Sequence, residues 1–287
     1  MTVQPSAQEL RSSPRPSDLP EYERPPLVEV VLSVQFAPLP GITIAHLGLL
    51  WGRFRDQFPQ VEEHAPLPRV YEALDSPRAL EARVSFEVAD RPPSPRLWFV
   101  KGEGSELIQV QADRFIHNWR KTGSGDAYPR YERVKERFRE ELAQFEAFVI
   151  RESLGDFVLD LAEITYVNHI VAGQGWAAHQ EMDKVFTQWS PLVGTGELED
   201  ARISARFLLR DGTGEPFGRL YLDVKPGRRR EDGTAIFVFE LTARGDAMGS
   251  PTADGALTFM DAGREAIVRA FTAATTSEMH EVWGRAR

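Results

Sequence analysis

The chain has 287 residues, of which 42% are hydrophobic and 27% charged, and its formal net charge is −9. This composition is typical of a soluble globular protein and disfavours a dedicated nucleic-acid-binding domain, which is usually basic. The absence of cysteine excludes disulfides, thiolate nucleophiles and Cys-ligated zinc. No apolar run approaches the ~18 residues of a membrane span, and the N-terminus lacks a secretory pattern, so we expect a cytoplasmic protein.

The beginning of the chain is polar and rich in proline, with Pro5, Pro14, Pro16 and Pro20. Such a segment buries too little apolar surface to offset the entropy lost on ordering. We therefore predict a disordered tail over residues 1–24.

A half-buried strand follows the tail. Val30, Leu32 and Val34 alternate with Ser33 and Gln35, which is the period-2 pattern of a strand with one apolar face. The next predicted elements are a helix over 44–58, strands at 69–74, 82–88, 96–101 and 106–119, and a long helix over 129–152.

The second half of the chain repeats this order. Glu163 begins a strand at a constant offset from Glu29 (163 − 29 = 134), and Gly175 matches Gly41 at the same offset. The predicted elements are a strand at 161–171, a helix over 176–189, strands at 201–210, 217–225 and 235–243, and a last helix over 254–283. Gly263 lies on the apolar stripe of that helix and predicts close packing beneath it.

Each half therefore has the order β-α-β(3-4)-α, with the first repeat at 25–154 and the second at 155–287. We predict an α+β fold built by tandem duplication of this unit, of the helix-grip or TATA-binding-protein-like type. The two repeats would share one antiparallel sheet, with helices on one face and the other face open. Two separate α+β domains meeting near Gly155 are the alternative.

The ends of the chain resemble a family of bacterial proteins known for its sporadic distribution among genomes. The opening Tyr22-Glu-Arg-Pro-Pro-Leu-Val-Glu-Val-Val31 and the closing Met279-His-Glu-Val-Trp-Gly284 carry this resemblance, which extends over residues 21–285. It implies a similar length and no particular reaction, because no activity is established for the family. Its patchy distribution suggests mobile gene neighbourhoods.

No catalytic signature is present. The six histidines form no His-Glu-x-x-His zinc motif, and the sequence has neither a nucleophile elbow nor a phosphate-binding loop. We therefore predict no catalytic residue, no metal and no cofactor. An acid–base role for His117 and His169, on strands and opposite the apolar stripe, is the enzymatic alternative.

One basic patch stands out at residues 201–230, where eight Arg and Lys outnumber three acidic residues (8 − 3 = +5). Arginines interleaved with aromatic residues on an exposed sheet face are suited to binding phosphates and stacking bases. The candidate binding residues on the open face are Arg202, Arg206, Arg219, Tyr221, Trp98, His117, Trp119 and His169.

The sequence thus favours a binding protein over an enzyme. The predicted partner is another protein or a second copy of the chain, contacting the open sheet face, with no membrane involved. One alternative is nucleic-acid or nucleotide binding through residues 201–230. The other is a small-ligand carrier, or an enzyme, with a pocket under the long helices.

Overall fold

The computed structural model describes residues 16–74, 94–123, 127–190, 196–246 and 250–286. Their strands form one nine-stranded sheet in which every neighbouring pair is antiparallel, so the predicted antiparallel α+β fold is confirmed. The strands are β1 (Leu27–Phe36), β2 (Gln60–His64), β3 (Arg96–Val100), β4 (Glu106–Gln111), β5 (Arg114–Arg120), β6 (Leu159–Val171), β7 (Ile203–Arg210), β8 (Pro216–Arg228) and β9 (Ala235–Gly245).

The first strand of each half lies at the centre of the sheet. The strand order is β2-β3-β4-β5-β1-β6-β9-β8-β7, so each half runs outward from its own first strand in reverse chain order. Val30 pairs with Tyr166 and Leu32 with Ile164 across the central β1–β6 ladder. A single sheet therefore contains both halves.

The helices are α1 (Ile44–Phe54), α2 (Tyr131–Arg151), α3 (Ala253–Ala274) and α4 (Ser277–Val282), with a 3-10 helix over His179–Lys184. Helices α2 and α3 cover one face of the sheet, here called the helix face. Their apolar stripes are buried there, as Phe138 and Phe145 of α2 and Ile267 and Phe271 of α3 illustrate. No helix in the described part of the chain is both long and apolar enough to span a membrane.

Several predicted elements differ from those observed. Residues 69–74 form no strand, and the first outer strand is instead β2. The predicted strand 106–119 is a hairpin, β4 and β5, and the predicted helix 176–189 is reduced to the short 3-10 helix. The predicted strand 82–88 lies outside the described residues.

The predicted last helix is two helices. Thr275 ends α3 in an extended conformation and donates its hydroxyl hydrogen to the carbonyl of Phe271 at 2.7 Å. Thr276 then begins α4, because its side chain accepts a hydrogen bond from the Met279 amide. Hydroxyl side chains that bond to nearby backbone in this way compete with the continuous helical ladder, which explains the break.

Helix α3 lies very close to the sheet at Gly263, as predicted. A Cβ atom at this position would lie 2.8 Å from Cγ2 of Ile164 and 3.0 Å from Cβ of Ala243. Glycine therefore allows the helix to contact β6 and β9 directly.

The two ends of the described chain are held together. The amides of Glu23 and Arg24 donate to the carbonyls of Gly284 and Trp283, each at 3.0 Å, and the amide of Ala286 donates to Glu21 at 2.9 Å. We call residues 21–24 and 283–286 the terminal clasp. Residues 16–24 of the predicted tail are described, and Leu19 among them is buried. Residues 1–15 of the predicted tail lie outside the described residues.

We expect Gly263→Ala to destabilise the protein by about 1–3 kcal/mol, because the new methyl group overpacks the helix–sheet contact. The measurement is the free energy of unfolding from urea denaturation. Gly48→Ala in α1 is the matched control, since nothing lies within 4 Å of its added Cβ and the protein should gain about 0.5–1 kcal/mol. Equal effects of the two changes would contradict the close approach of α3.

Candidate functional site

The sheet face opposite the helices is not fully open. Residues 65–74, here called the crossing segment, run over it. The carboxamide of Gln35 donates to the carbonyl of Val70 at 2.8 Å and accepts from its amide at 2.9 Å. Gln111 makes the same pair of bonds with Leu67, at 3.0 and 2.9 Å. The helices leave this face uncovered, as predicted, but the crossing segment covers part of it, so the face is open only beyond that segment.

Charged side chains fix the middle and the last part of the crossing segment. Arg69 bonds to Asp160 and lies 3.3 Å from Asp113. Further along, Glu72 pairs with Arg219 and accepts a hydrogen bond from the hydroxyl of Tyr221 at 2.7 Å. Two of the predicted binding residues, Arg219 and Tyr221, are thus brought together by a carboxylate of the same chain.

The remaining predicted residues of this face lie at separate places. Trp98 of β3 stacks on His64 with a centroid distance of 4.0 Å, and His169 lies on β6. Arg206 is exposed on β7 opposite Tyr221, and Arg202 is exposed just before that strand. The predicted residues therefore do not converge on one site.

His117 and Trp119 lie on the helix face, which corrects their predicted position. His117 pairs with Leu32 and Trp119 with Val30, both of which point toward the helices. The reason is the two-residue turn between β4 and β5, which reverses the alternation expected of one long strand. His117 is fully buried, its Nδ1 lying 2.7 Å from Oε2 of Glu141 on α2, and so is separated from His169 by the sheet.

A cavity of about 70 Å³ opens on the helix face between the start of α2, the middle of α3 and the central strands. Its apolar walls include Leu27, Leu241, Ile267 and Phe271. Tyr128, Tyr131, Tyr166, Asn168 and Arg264 bring polar atoms to the same space. A small, mostly apolar cavity with a few convergent polar groups is the usual form of a ligand site.

The polar groups of the cavity form one network. The hydroxyls of Tyr128 and Tyr166 are 3.1 Å apart, and Arg264 also bonds to Tyr166. The guanidinium of Arg264 lies 3.2 Å from Glu132 and 4.8 Å from the ring centroid of Tyr131. Arg264 is only 7% exposed, and its Nε has no hydrogen-bond partner within the described part of the chain.

Burial raises the pKa of the cavity tyrosines. The pKa of Tyr131 is well above its ordinary value because of burial and the carboxylate of Asp261, and that of Tyr128 because of burial and Tyr166. Burial also raises the pKa of Tyr166, although Arg264 partly offsets this. Burial lowers the pKa of Arg264, but Tyr166 and Glu132 more than compensate, so its guanidinium stays charged.

The rim of the cavity carries a strained residue. Arg130 has a φ of 72°, in the left-handed region that arginine rarely adopts, and its guanidinium lies 3.5 Å from Glu21. It is also the residue before α2, whose N-terminus has no side-chain cap. Strained backbone of this kind is concentrated at functional sites.

A wider polar cleft of about 560 Å³ lies beside the middle of α2, next to the end of α1. Its most buried carboxylates already have partners, since Glu106 bonds to Arg137 and Glu141 to His117. Among the described residues, no group of three or more acidic or histidine side chains is arranged to hold a metal ion. The cleft is therefore the weaker candidate.

One signal for the cavity was present in the sequence. Arg264 follows Met260 by four residues and precedes Ile267 by three, so it occupies the apolar stripe of α3. Asn168 likewise occupies an inward position two residues after Tyr166. Charged and polar residues at apolar positions indicate a buried polar site, whereas the location of the cavity depends on tertiary packing.

The fold and the cavity together define this chain as an antiparallel α+β protein with a small mixed cavity under its long helices. No protein-family model matches the chain, and no curated protein matches it significantly in sequence. The family resemblance of its opening and closing motifs stays a prediction.

We expect the unfolding free energy to fall as the pH rises through about 10. Tyrosines whose pKa is raised by folding keep their protons while the unfolded chain releases them, so their stabilising contribution is present below the ordinary pKa and is lost above it. Urea denaturation between pH 8 and 11 measures the slope of the unfolding free energy against pH. Tyr131→Phe should make it shallower, whereas Tyr71→Phe, at a residue 71% exposed, should not. Equal slopes in both variants would contradict this assignment.

Proposed function

We propose that the protein binds a small molecule in the cavity under α2 and α3. The observation in favour is the convergence of three tyrosines and a buried arginine on one apolar space. Perturbed ionisable groups that gather in a cavity are characteristic of functional sites. This choice replaces the open sheet face as the leading candidate, because the crossing segment occupies part of that face and Glu72 already engages Arg219.

The size of the cavity limits the ligand. A volume of about 70 Å³ is roughly half that of the ~150 Å³ apolar cavity that accepts benzene. The ligand, or the part of it that enters, therefore has only a few non-hydrogen atoms. Burial of its apolar part against Leu241, Ile267 and Phe271 would supply the affinity.

Ligand-detected NMR with a set of neutral and charged fragments of about three to six non-hydrogen atoms tests the proposal. We expect binding to the full chain and a loss of at least tenfold in Val268→Phe, because the larger ring fills the cavity. Ile150→Phe is the matched control, since Ile150 is 68% exposed and does not line the cavity. If none of the fragments binds the full chain, or if Val268→Phe binds them as well as the wild-type chain does, the proposal is overturned.

The second candidate function is self-association through the sheet edges, which keeps the predicted partner. The outermost described strands are β7 and β2, and Phe207 and Leu208 of β7 are 50% and 39% exposed. An exposed apolar edge strand is a template for pairing with another chain. We propose a second copy as the partner, because β7 carries Arg206 and Arg210 while β2 carries Glu62 and Glu63.

Sedimentation velocity over a range of protein concentrations tests this candidate. We expect association at low salt that weakens at high salt, because the complementary charges are exposed and screened. Phe207→Lys should abolish it, while Ile150→Lys, which replaces another exposed apolar residue away from the edge, should not. A monomer under all conditions would count decisively against the edge contact.

We propose in addition that the two halves are tandem repeats of the TATA-binding-protein-like unit. The supporting observation is the strand order, in which β1 and β6 are central and each half runs outward in reverse order. Membership of the sporadic bacterial family, a cytoplasmic location and nucleic-acid binding through residues 201–230 stay predictions.

A further inference from the structure

We infer that the cavity selects a small monocarboxylate, a conclusion that rests on the proposed ligand-binding function. The inference comes from the hydrogen-bond donors that the folded chain leaves unused inside the cavity. It names the class of ligand and the side chains that recognise it, Arg264 and the pair Tyr128–Tyr166.

The first donor group is the guanidinium of Arg264, a residue that lines the cavity. Arg264 is only 7% exposed, and its Nε has no hydrogen-bond partner among the described residues. A buried donor without a partner costs about 1–3 kcal/mol, so a ligand that supplies acceptors to this guanidinium is favoured.

The second unused donor belongs to the tyrosine pair. The hydroxyls of Tyr128 and Tyr166 are 3.1 Å apart and share one hydrogen bond. The hydrogen bond that Arg264 donates to Tyr166 occupies a lone pair of the Tyr166 oxygen and uses no phenolic hydrogen. Two phenolic hydrogens are present and the shared bond consumes one, so the other has no acceptor in the described structure. Whichever tyrosine donates, the cavity therefore presents a phenolic O–H besides the guanidinium of Arg264.

These donors favour an acceptor with two oxygens and a negative charge. Guanidinium groups form their strongest hydrogen bonds with carboxylates, whose two oxygens accept in parallel. The existing partner of Arg264, Glu132, approaches from the solvent side and its side chain is 53% exposed, so water screens that ion pair. A carboxylate inside the cavity interacts with the same guanidinium in a drier environment.

The charge at the cavity limits the ligand to one negative charge. Arg130 and Glu21 compensate each other at the rim, so Arg264, whose ion pair with Glu132 is screened by water, is the cation that lines the interior. The uncapped N-terminus of α2 adds a partial positive charge nearby. A dianion such as a phosphate monoester would leave one charge unmatched against apolar walls, at a high desolvation cost.

Isothermal titration of the full chain with isobutyrate and isobutyramide tests the inference, because the two probes differ only in the carboxylate and its amide. We expect isobutyrate to bind at least tenfold more tightly, a difference of about 1.4 kcal/mol. Arg264→Gln should abolish this preference and leave the affinity for isobutyramide within about twofold of the wild-type value. Arg264→Lys, which keeps the charge but loses the planar guanidinium fork, should fall between the two.

The outcomes separate the two proposals. Equal binding of both probes by the wild-type chain overturns the carboxylate assignment and needs no variant, while ligand binding in the cavity still stands. Preference for isobutyrate that persists in Arg264→Gln likewise overturns the role of Arg264. If neither these probes nor any neutral fragment binds, the proposed function itself fails.

Discussion

The antiparallel pairing of β1 with β6 is the contact on which the rest of the molecule depends. It joins the two halves through the central strands, where Leu32 and Ile164 lie opposite each other and are both fully buried. Without this ladder each half would end in a long, apolar edge strand, which is prone to pair with other chains. The same pairing places α2 beside α3, and their junction encloses the cavity.

Polar residues on the second face of the sheet require a cover. Gln35 and Gln111 are 2% and 3% exposed. Burying a carboxamide without hydrogen-bond partners is unfavourable, because the hydrogen bonds that it makes with water are lost and not replaced. The crossing segment resolves this by offering its backbone to both side chains. In return the amides and carbonyls of Leu67 and Val70 are satisfied without a strand partner, and residues 69–74 belong to no ladder.

Local patterns predicted most of the fold, and tertiary contacts decided most of the site. The alternation in β1 and the stripe in α2 depend only on periodicity, so they were readable from the sequence. His117 was assigned to the wrong face because the two-residue turn between β4 and β5 reverses which alternate residues point toward the helices. Arg264 and Tyr166 lie 98 residues apart in sequence (264 − 166), and their meeting depends on how α3 lies over β6. The crossing segment was missed for the same reason, since its partners are side chains of distant strands.

The terminal clasp brings residues 21–24 and 283–286 side by side, at the same end of α3 as the wall formed by Tyr22 and Phe271. Chain termini that meet in this way allow the polypeptide to be reconnected in a different order. A circular permutant opened in the exposed hairpin tip between β8 and β9 would keep both halves in the sheet. Such a permutant would preserve every strand pairing of the sheet and change only the order in which the strands follow along the chain.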